Sequence, residues 1–372
     1  MKRSIAPFIF LFVLLMVAIP ASTQELPTLA DLDEGWNYIN LGGENVCAFG
    51  DDFGFFVHPG DETRLTIHLQ VGGGCWDAAT CQPGGLFTQS INPAAFDEPV
   101  GIFDMTDEEN PLTGFSHVVI PSCNADVHLG SYTTTFEPIE LEDGTMTEPL
   151  EFNFLGFTNA SAVLDWVYAT YPDAEQVVIT GASAGSVGSI YHTPYIANNY
   201  PDASVVQIGD SFTGVFPEGF DGLQIWGAHD NLPTDLEPFA SIDPATELTR
   251  NANRLYTASA EAFPDLLIGE LTTANDGIQT LFWGVQGGED PADWQIAMFD
   301  KMATLDAEIE NFTSFIAGGD AHAIMSSANF YTYMADGTRY IDWFATLVNG
   351  DVPANVSCEA TYCSTVELYE AE

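Results

Sequence analysis

Ser183 stands in a Gly-x-Ser-x-Gly pattern, from Gly181 to Gly185, directly after the apolar run Val177-Val178-Ile179. The run is typical of a buried parallel strand, and the small residues after Ser183 are typical of the first turn of a helix. A serine on such a turn has its hydroxyl lifted clear of the sheet, and the glycines leave room for the neighbouring strand and the helix entry. The pattern predicts nucleophilic attack on an acyl carbon, although the motif alone also fits an ordinary turn.

A serine nucleophile needs a histidine base, and on this strand-helix layout the histidine comes last in the chain. Three histidines follow Ser183, namely His192, His229 and His322. His192 falls on the helix after the turn and is expected to point away, while His229 falls in a polar inserted region. His322 follows a predicted strand through Gly318-Gly319, so we predict that it is the base.

The histidine in turn needs a carboxylate that fixes its tautomer. Asp276 follows a predicted strand by a short loop and is our predicted acid. Asp210, at the end of the preceding strand, is the alternative, and Asp320 is too close in sequence to His322 to be preferred. Because the chain holds 54 acidic residues, any single aspartate also fits a solvated surface.

The tetrahedral intermediate of acyl transfer needs backbone N–H donors for its oxyanion. Ala184, directly after the nucleophile, is predicted to supply one donor. Gly73 and Gly74, in a glycine run at the end of a predicted strand, are predicted to supply the other. An ordinary glycine turn is the alternative for this run.

The elements that must position these residues alternate between strands and helices. An edge hairpin is predicted within residues 36–71, with strands at 53–60 and 65–71. A helix is predicted at 159–171 and a closing amphipathic segment at 330–347. Buried strands are predicted at residues 65–71, 117–121, 177–180, 204–210, 265–270 and 312–316. This alternation predicts an α/β fold, an α/β-hydrolase-like doubly wound, mostly parallel sheet with helical insertions.

We expect one catalytic domain over residues 24–372. Within it, the proline-interrupted segment 213–262 is predicted to form a helical cap over the site, although a plain surface excursion fits equally well. Residues 1–23 have the layout of a secretory signal peptide, with Lys2 and Arg3 before an apolar run and small residues after it. The chain is therefore predicted to be secreted, with no membrane span in its mature part; an uncleaved signal anchor is the alternative.

The formal net charge is −47, while 46% of the residues are hydrophobic and 12% aromatic. This composition predicts a folded core under an acidic surface rather than a disordered tail. After Lys2 and Arg3, the strong bases are Arg64, Arg250, Arg254, Lys301 and Arg339. So few bases argue against nucleic acid as a partner. Such a surface is best tolerated where salt screens it, so a saline habitat is a reasonable hypothesis, whereas the oligomeric state is not predicted.

Six cysteines after a signal peptide predict up to three disulfide bonds. The economical pairs are Cys358 with Cys363 and Cys75 with Cys81, which leaves Cys47 with Cys123. Sequence alone does not determine this connectivity. A zinc site is the alternative, but the chain has no Cys-x-x-Cys and no histidine at ligand spacing beside these residues.

Taken together, these residues resemble the pectin acetylesterase family. Residues 69–76, Leu-Gln-Val-Gly-Gly-Gly-Cys-Trp, are similar to an early family motif of the type Leu-Glu-Gly-Gly-Gly-Trp-Cys, with the Glu absent and Trp and Cys exchanged. Residues 122–130, Ser-Cys-Asn-Ala-Asp-Val-His-Leu-Gly, resemble its Tyr-Cys-x-x-Asp-x-His-x-Gly segment. Residues 181–186 fit the nucleophile motif, Asp276 with Gln279 resembles the Asp-x-x-Gln of the family's acid, and His322 falls at its base.

The resemblance implies an esterase that removes acetyl or longer acyl groups without metal or cofactor. We expect a secreted serine carboxylic ester hydrolase that deacetylates a polysaccharide such as pectin. The alternatives are a lipase-like or lipid-deacylating carboxylesterase, and a non-catalytic carbohydrate-binding or surface protein on the same fold. Trp76, Asp126, His128 and Phe212 are expected to line the substrate pocket or to support it.

Overall fold

A computed structural model describes residues 26–141, 143–248, 252–358 and 363–369. The predicted signal peptide lies outside these residues. The described strands are β1 Asn37–Asn40, β2 Gly54–His58, β3 Asp61–Leu69, β4 Phe115–Ile120, β5 Tyr132–Phe136, β6 Leu150–Phe154, β7 Gln176–Ala182, β8 Ser204–Asp210, β9 Leu267–Thr273, β10 Phe312–Ala317, β11 Tyr333–Ala335, β12 Thr338–Arg339, β13 Val356–Ser357 and β14 Glu367–Leu368. The described helices are α1 Gly156–Thr170, α2 Ala184–Asn199, α3 Gly222–Ile225, α4 Pro244–Glu247, α5 Asn253–Ala262, α6 Gly277–Val285, α7 Pro291–Glu308 and α8 Tyr340–Val348.

The main sheet has nine strands in the order β1-β2-β4-β3-β7-β8-β9-β10-β13. The pairs from β4 to β13 are all parallel, and only β1 with β2 and β2 with β4 are antiparallel. The mostly parallel α/β fold is thereby confirmed. Because β3, β7, β8, β9 and β10 run in one direction, their carboxyl ends, and the loops that leave them, lie along one edge.

Helices cover both faces of this sheet. Val177 and Ile179 of β7 point into the core that contains residues of α1, α2, α5 and α7. Val178, between them, points into the second core, which contains Trp343 and Phe344 of α8. A strand buried on both faces reads as a continuous apolar run, which is the pattern from which β7 was predicted.

The strand and helix predictions hold, with shifts at their ends. β8 has the predicted bounds, while α1 begins at Gly156 rather than at residue 159. β9 extends to Thr273, beyond its predicted end at 270, because Thr272 and Thr273 are buried and pair with Ile316 and Ala317 of β10. The antiparallel hairpin of β5 and β6 was not predicted. The predicted edge hairpin of the runs 53–60 and 65–71 is wrong: these runs form β2 and β3, which lie on either side of β4, and the antiparallel partner of β2 at the edge is β1.

The inserted segment 213–262 contains the short helices α3 and α4 and the longer α5. Trp226, just after α3, donates its Nε1–H to the carbonyl of Cys75 at 2.7 Å. This bond joins the segment to the glycine run at the end of β3. That the segment forms a cap stays a prediction.

Three disulfide bonds are present, Cys47–Cys123, Cys75–Cys81 and Cys358–Cys363. They are the pairs that the spacing of the cysteines favoured. Within the described residues no group of three or more His, Cys, Asp or Glu side chains could hold a metal ion. In that same part of the chain, no helix is both long and apolar enough to cross a membrane.

Candidate active site

Ser183 occupies a strained turn between β7 and α2, with φ 54° and ψ −124°. Such a backbone conformation costs about 1–3 kcal/mol and persists only where its surroundings fix it. A Cβ on Gly181 would overlap the carbonyl of Gly185, and a Cβ on Gly185 would overlap the carbonyl of Leu69 at the end of β3. The two glycines of the motif are therefore required by close backbone packing around the serine.

Asp276 and His322 are in direct contact. Nδ1 of His322 lies 2.9 Å from each carboxylate oxygen of Asp276, which is fully buried. Because a carboxylate only accepts hydrogen bonds, Nδ1 carries the hydrogen, and Nε2 is the nitrogen able to take up a proton. This is the tautomer that a general base beside a serine requires.

The Asp276 carboxylate is fixed by further donors. Asp276 is the N-cap of α6, and its Oδ1 accepts the N–H groups of Ile278 at 3.0 Å and Gln279 at 2.9 Å. The Gln279 amide donates to Oδ2 at 3.0 Å and to the Thr272 hydroxyl at 2.9 Å. Gln279, three residues after the cap, thus holds both oxygens of the acid: its backbone N–H donates to Oδ1 and its side-chain amide to Oδ2.

The loop of the acid and the loop of His322 are joined to each other. The Thr273 hydroxyl donates to the carbonyl of Ala321 at 2.7 Å. Three backbone hydrogen bonds of similar length also connect the loops: Ala274 N–H to Ala317 at 2.9 Å, Asn275 N–H to Gly319 at 3.0 Å and Gly277 N–H to Asp320 at 3.0 Å. The separation between the acid and the base is therefore fixed by the backbone.

Asp210, the competing acid, has different partners. Its Oδ1 accepts the Ser211 hydroxyl at 2.6 Å and its Oδ2 accepts the N–H of Met325 at 2.7 Å. Burial raises the pKa of Asp210 to about 7, and the two donors and the nearby His322 oppose this rise. Of the two aspartates, Asp276 is the one bonded to the histidine.

Ser183 and His322 line one cavity at the carboxyl edge of the sheet, together with Gly73, Gly74 and Ala184. The structure thus brings together at one cavity the residues predicted to be the nucleophile, the base and the oxyanion donors. The rest of the lining is mainly apolar, consisting of Val127, Phe212, Val215, Trp226, Ile278, Phe282 and Trp294, with Ser211, Gln279 and Gln286 as polar members. The cavity volume is about 40 Å³, counted as space open to the centre of a water molecule.

The predicted oxyanion donors differ in what they already bind. Ala184 opens α2, and the N–H groups of a first helical turn have no acceptor within the helix. Gly73 has φ +66°, and a Cβ there would overlap the carbonyl of Leu86. The Gly74 N–H donates to that same carbonyl at 3.3 Å. The N–H of Gly74 therefore already has a hydrogen-bond acceptor.

The predicted pocket role of Asp126, His128 and Trp76 needs correction. Asp126 and His128 are 0% and 1% exposed, and it is Val127, between them, that lines the cavity. Trp76 packs edge-to-face on Phe220, with ring centroids 5.0 Å apart, and is not part of the lining. Of the four residues expected at the pocket, Phe212 is the one that lines it.

Asp126 and His128 instead satisfy buried backbone groups. Asp126 accepts the N–H of Gly156 at 2.7 Å and that of His128 at 3.2 Å. The His128 ring donates from Nε2 to the carbonyl of Gln70 at 3.0 Å. Burial raises the pKa of Asp126 to about 7 and lowers that of His128 to about 4. The two residues support the segment that carries the glycine run.

The remaining histidine candidates neither bond to Asp276 nor line the cavity. His192 is buried, and its Nε2 donates to the carbonyl of His128 at 2.9 Å. His229 is absent from the cavity lining. Ser211 and the apolar lining residues of the inserted segment are not among the predicted site residues. The sequence signal for Ser211 is the polar pair Asp210-Ser211 directly after a buried strand.

Comparison with known proteins agrees with this architecture. The structure of the Wnt deacylase Notum from Drosophila superposes with a TM-score of 0.60 at 19% identity, over 87% of this chain and 97% of that one. At that identity the likeness shows a shared fold.

In sequence, the chain is 27% identical to pectin acetylesterase 5 of Arabidopsis thaliana over 173 residues, which are 44% of this chain and only 38% of that protein. The model of the pectinacetylesterase family matches residues 39–225, a segment that contains the glycine run and Ser183. With about half of its length matched by that model, and with the turn at Ser183 inside the match, the chain belongs to the pectinacetylesterase family.

Proposed function

We propose that the protein is a serine carboxylic ester hydrolase in which Ser183 is the nucleophile, His322 the general base and Asp276 the acid that orients it. The observation that carries the proposal is the hydrogen bond from His322 Nδ1 to Asp276, at the cavity that Ser183 lines. It leaves Nε2 of His322 as the nitrogen that can accept the serine proton.

In the proposed reaction, Nε2 of His322 takes the proton of the Ser183 hydroxyl while Oγ bonds to the acyl carbon. The carbonyl oxygen becomes an oxyanion, which accepts the Ala184 N–H and an N–H of the glycine run. The bond to the alcohol then breaks, and the alcohol leaves with the proton from His322. Water attacks the acyl-enzyme by the same steps, releasing the carboxylic acid and restoring Ser183.

We propose acetyl as the acyl group. A water molecule needs about 10–15 Å³ of such space, so a cavity of about 40 Å³ has room for a few non-hydrogen atoms. An acetyl group meets this limit, whereas a long acyl chain would need the apolar walls to move. The family relation favours a polysaccharide such as pectin as the alcohol component.

A longer acyl group is the second candidate, because the lining is mainly apolar. Phe282 and Trp294 could contact a chain if the cavity widened. The net charge of −47 favours a pectin whose uronic acids are largely esterified, and therefore uncharged, over a polyanionic one. Unesterified uronic acids would be repelled at low ionic strength.

A chain-length series of p-nitrophenyl esters, together with acetylated pectin and acetylated xylan, tests the proposal. We expect turnover to be fastest with acetate, and Ser183→Ala to abolish it and also to abolish labelling by a fluorophosphonate probe. A folded Ser183→Ala variant that keeps its turnover would overturn the assignment. Absence of labelling in the wild-type protein would favour a non-catalytic binding protein.

We also propose that the chain is exported. Three disulfide bonds are typical of an oxidising compartment, where thiols are not kept reduced. Mass spectrometry of protein recovered from the culture medium should find an N-terminus near residue 24. Recovery of the full-length chain only from the cytoplasm would contradict this.

A further inference from the structure

Asp210 contacts both of the segments that carry the proposed nucleophile and base. Its backbone carbonyl, at the end of β8, accepts the N–H of Ser183 at 2.7 Å. Its carboxylate accepts the Ser211 hydroxyl at 2.6 Å and the N–H of Met325 at 2.7 Å. Met325 follows His322 by three residues, so one buried aspartate lies between the serine turn and the histidine loop.

Ser211 extends this contact to the residue next to the base. The Ser211 hydroxyl accepts the N–H of Ala323 at 2.8 Å, and Ser211 and Ala323 both have positive φ, 61° and 55°. Because the Ser211 oxygen accepts the N–H of Ala323, the hydroxyl hydrogen of Ser211 must point toward another acceptor, and that acceptor is the Asp210 carboxylate. On the other side of His322, the carbonyl of Ala321 accepts the Thr273 hydroxyl. The backbone around His322 is thus held on both sides.

We propose that Asp210 is a positioning residue for the reaction: through Ser211 and Met325 it fixes the loop of His322 relative to the Ser183 turn. The inference rests on the proposed esterase function and adds a second carboxylate that does not touch the substrate. Asp276 sets the tautomer and ring orientation of the base, whereas Asp210 sets the distance between the base and the nucleophile.

The matched comparison is Asp210→Asn with Glu270→Gln. Asparagine keeps one acceptor oxygen but presents an NH₂ group to a partner that itself donates, so one of the two bonds is lost. Glu270 is equally buried in the neighbouring strand, but it accepts the Tyr256 hydroxyl rather than a group of the histidine loop. Both variants neutralise a buried carboxylate, and only the first removes a contact to the loop of His322.

The measurements are kcat and KM for p-nitrophenyl acetate and the rate of fluorophosphonate labelling. We expect Asp210→Asn to lower kcat and the labelling rate by about 10- to 100-fold with KM within about twofold, because small displacements of reacting groups cost this much. Glu270→Gln should lower the melting temperature but leave kcat within about twofold of wild type. Ser211→Ala should also lower kcat. In the double variant with Asp210→Asn, the fold-loss of kcat should be smaller than the product of the two single fold-losses.

An unchanged kcat in Asp210→Asn, or an equal loss in Glu270→Gln, would overturn the inference. If Asp210→Asn does not fold, Ser211→Ala decides: a lowered kcat supports the positioning role and an unchanged kcat overturns it. Labelling of the wild-type protein tests the esterase proposal separately, because it depends on Ser183 and not on these variants.

Discussion

Asp276 accepts the Nδ1–H of His322 with the same carboxylate that caps α6. One side chain therefore serves helix stability and the orientation of the proposed base. Asparagine at this position can keep the cap through its oxygen but turns an NH₂ group toward the imidazole, which favours the wrong tautomer.

We predict that Asp276→Asn lowers kcat by about 10³- to 10⁴-fold and costs less stability than Asp276→Ala, because the oxygen of Asn can keep the cap while its NH₂ group loses the bond from the Gln279 amide. Asp276→Ala should lose the same activity and also about 1 kcal/mol or more from the missing cap. Ester kinetics and urea unfolding of both variants check this. Equal stability of the two variants would show that the cap contributes nothing.

Gly185→Ala is predicted to damage the nucleophile turn, because the added Cβ would overlap the carbonyl of Leu69. We expect a stability loss of about 1–3 kcal/mol and at least a tenfold loss of turnover. Gly284→Ala in α6 is the matched control, since no atom lies within 4 Å of its added Cβ. The control should be neutral or stabilised by up to about 1 kcal/mol. Wild-type behaviour of Gly185→Ala would contradict the packing argument.

Removal of the Cys47–Cys123 bond is expected to affect mainly stability, and removal of the Cys75–Cys81 bond mainly activity. The Cys47–Cys123 bond closes a loop with a sequence separation of 76, whereas Cys75–Cys81 spans 6. Loop-closure entropy then predicts a cost of about 4 kcal/mol for replacing the first pair by serine and about 2 kcal/mol for the second. Because Cys75 follows the glycine run, the second replacement should reduce kcat more. Denaturant unfolding measures the loss of stability and ester kinetics the loss of kcat. A larger stability loss for the second pair together with a larger kcat loss for the first would contradict this prediction.

His192 is predicted to make the fold sensitive to acid. Burial lowers its pKa from 6.5 to about 4. Because the unfolded chain takes up the proton first, this contribution to stability is complete above about pH 6.5 and is lost as the pH falls toward 4. At pH 5 the loss is about 2 kcal/mol.

Urea unfolding of wild type and His192→Gln at pH 7 and pH 5 isolates this contribution. Glutamine can still donate to the carbonyl of His128 but does not titrate. Wild type should lose about 2 kcal/mol more than the variant between the two pH values. Parallel pH profiles would show that His192 is not the source of acid sensitivity.

Salt should stabilise the protein. Within the described part of the chain, Arg64, Arg254 and Arg339 each pair with a carboxylate, and Lys301 is buried against the Tyr256 ring. Little positive charge is left to offset a net charge of −47. Raising NaCl from 0.1 M to 1 M shortens the screening length from about 10 Å to about 3 Å, so we expect the melting temperature to rise. KCl should act equally, and a melting temperature indifferent to both salts would contradict the argument.

The positions of the candidate site residues at the sheet edge could be predicted from the sequence, because each of them follows a strand with a strong apolar pattern. Ser183 and His322 could be singled out since few alternatives followed such strands. The choice between Asp276 and Asp210 as the acid was less clear, because these two aspartates follow neighbouring strands. The acid is the aspartate whose side chain reaches His322, and the spacing of residues along the chain does not indicate which one does.

Other features depend on burial that a loop sequence does not reveal. Asp126 and His128 looked like pocket residues because polar loop side chains are usually exposed, yet here they satisfy buried N–H and carbonyl groups. The cavity walls Val215 and Trp226 come from an inserted segment without strong periodicity. Their place is decided by tertiary packing, such as the bond between Trp226 and Cys75.

The hydrogen bonds between the loops after β9 and β10 also limit how the chain can change in length. Inserting or deleting one residue in residues 274–277 or 317–321 would shift several paired groups at once and would misalign Asp276 and His322 together. The exposed turn at 287–290, between α6 and α7, carries no such pairing with the site. New sequence can be accommodated there, whereas the two loops that hold the acid and the base must keep their lengths jointly.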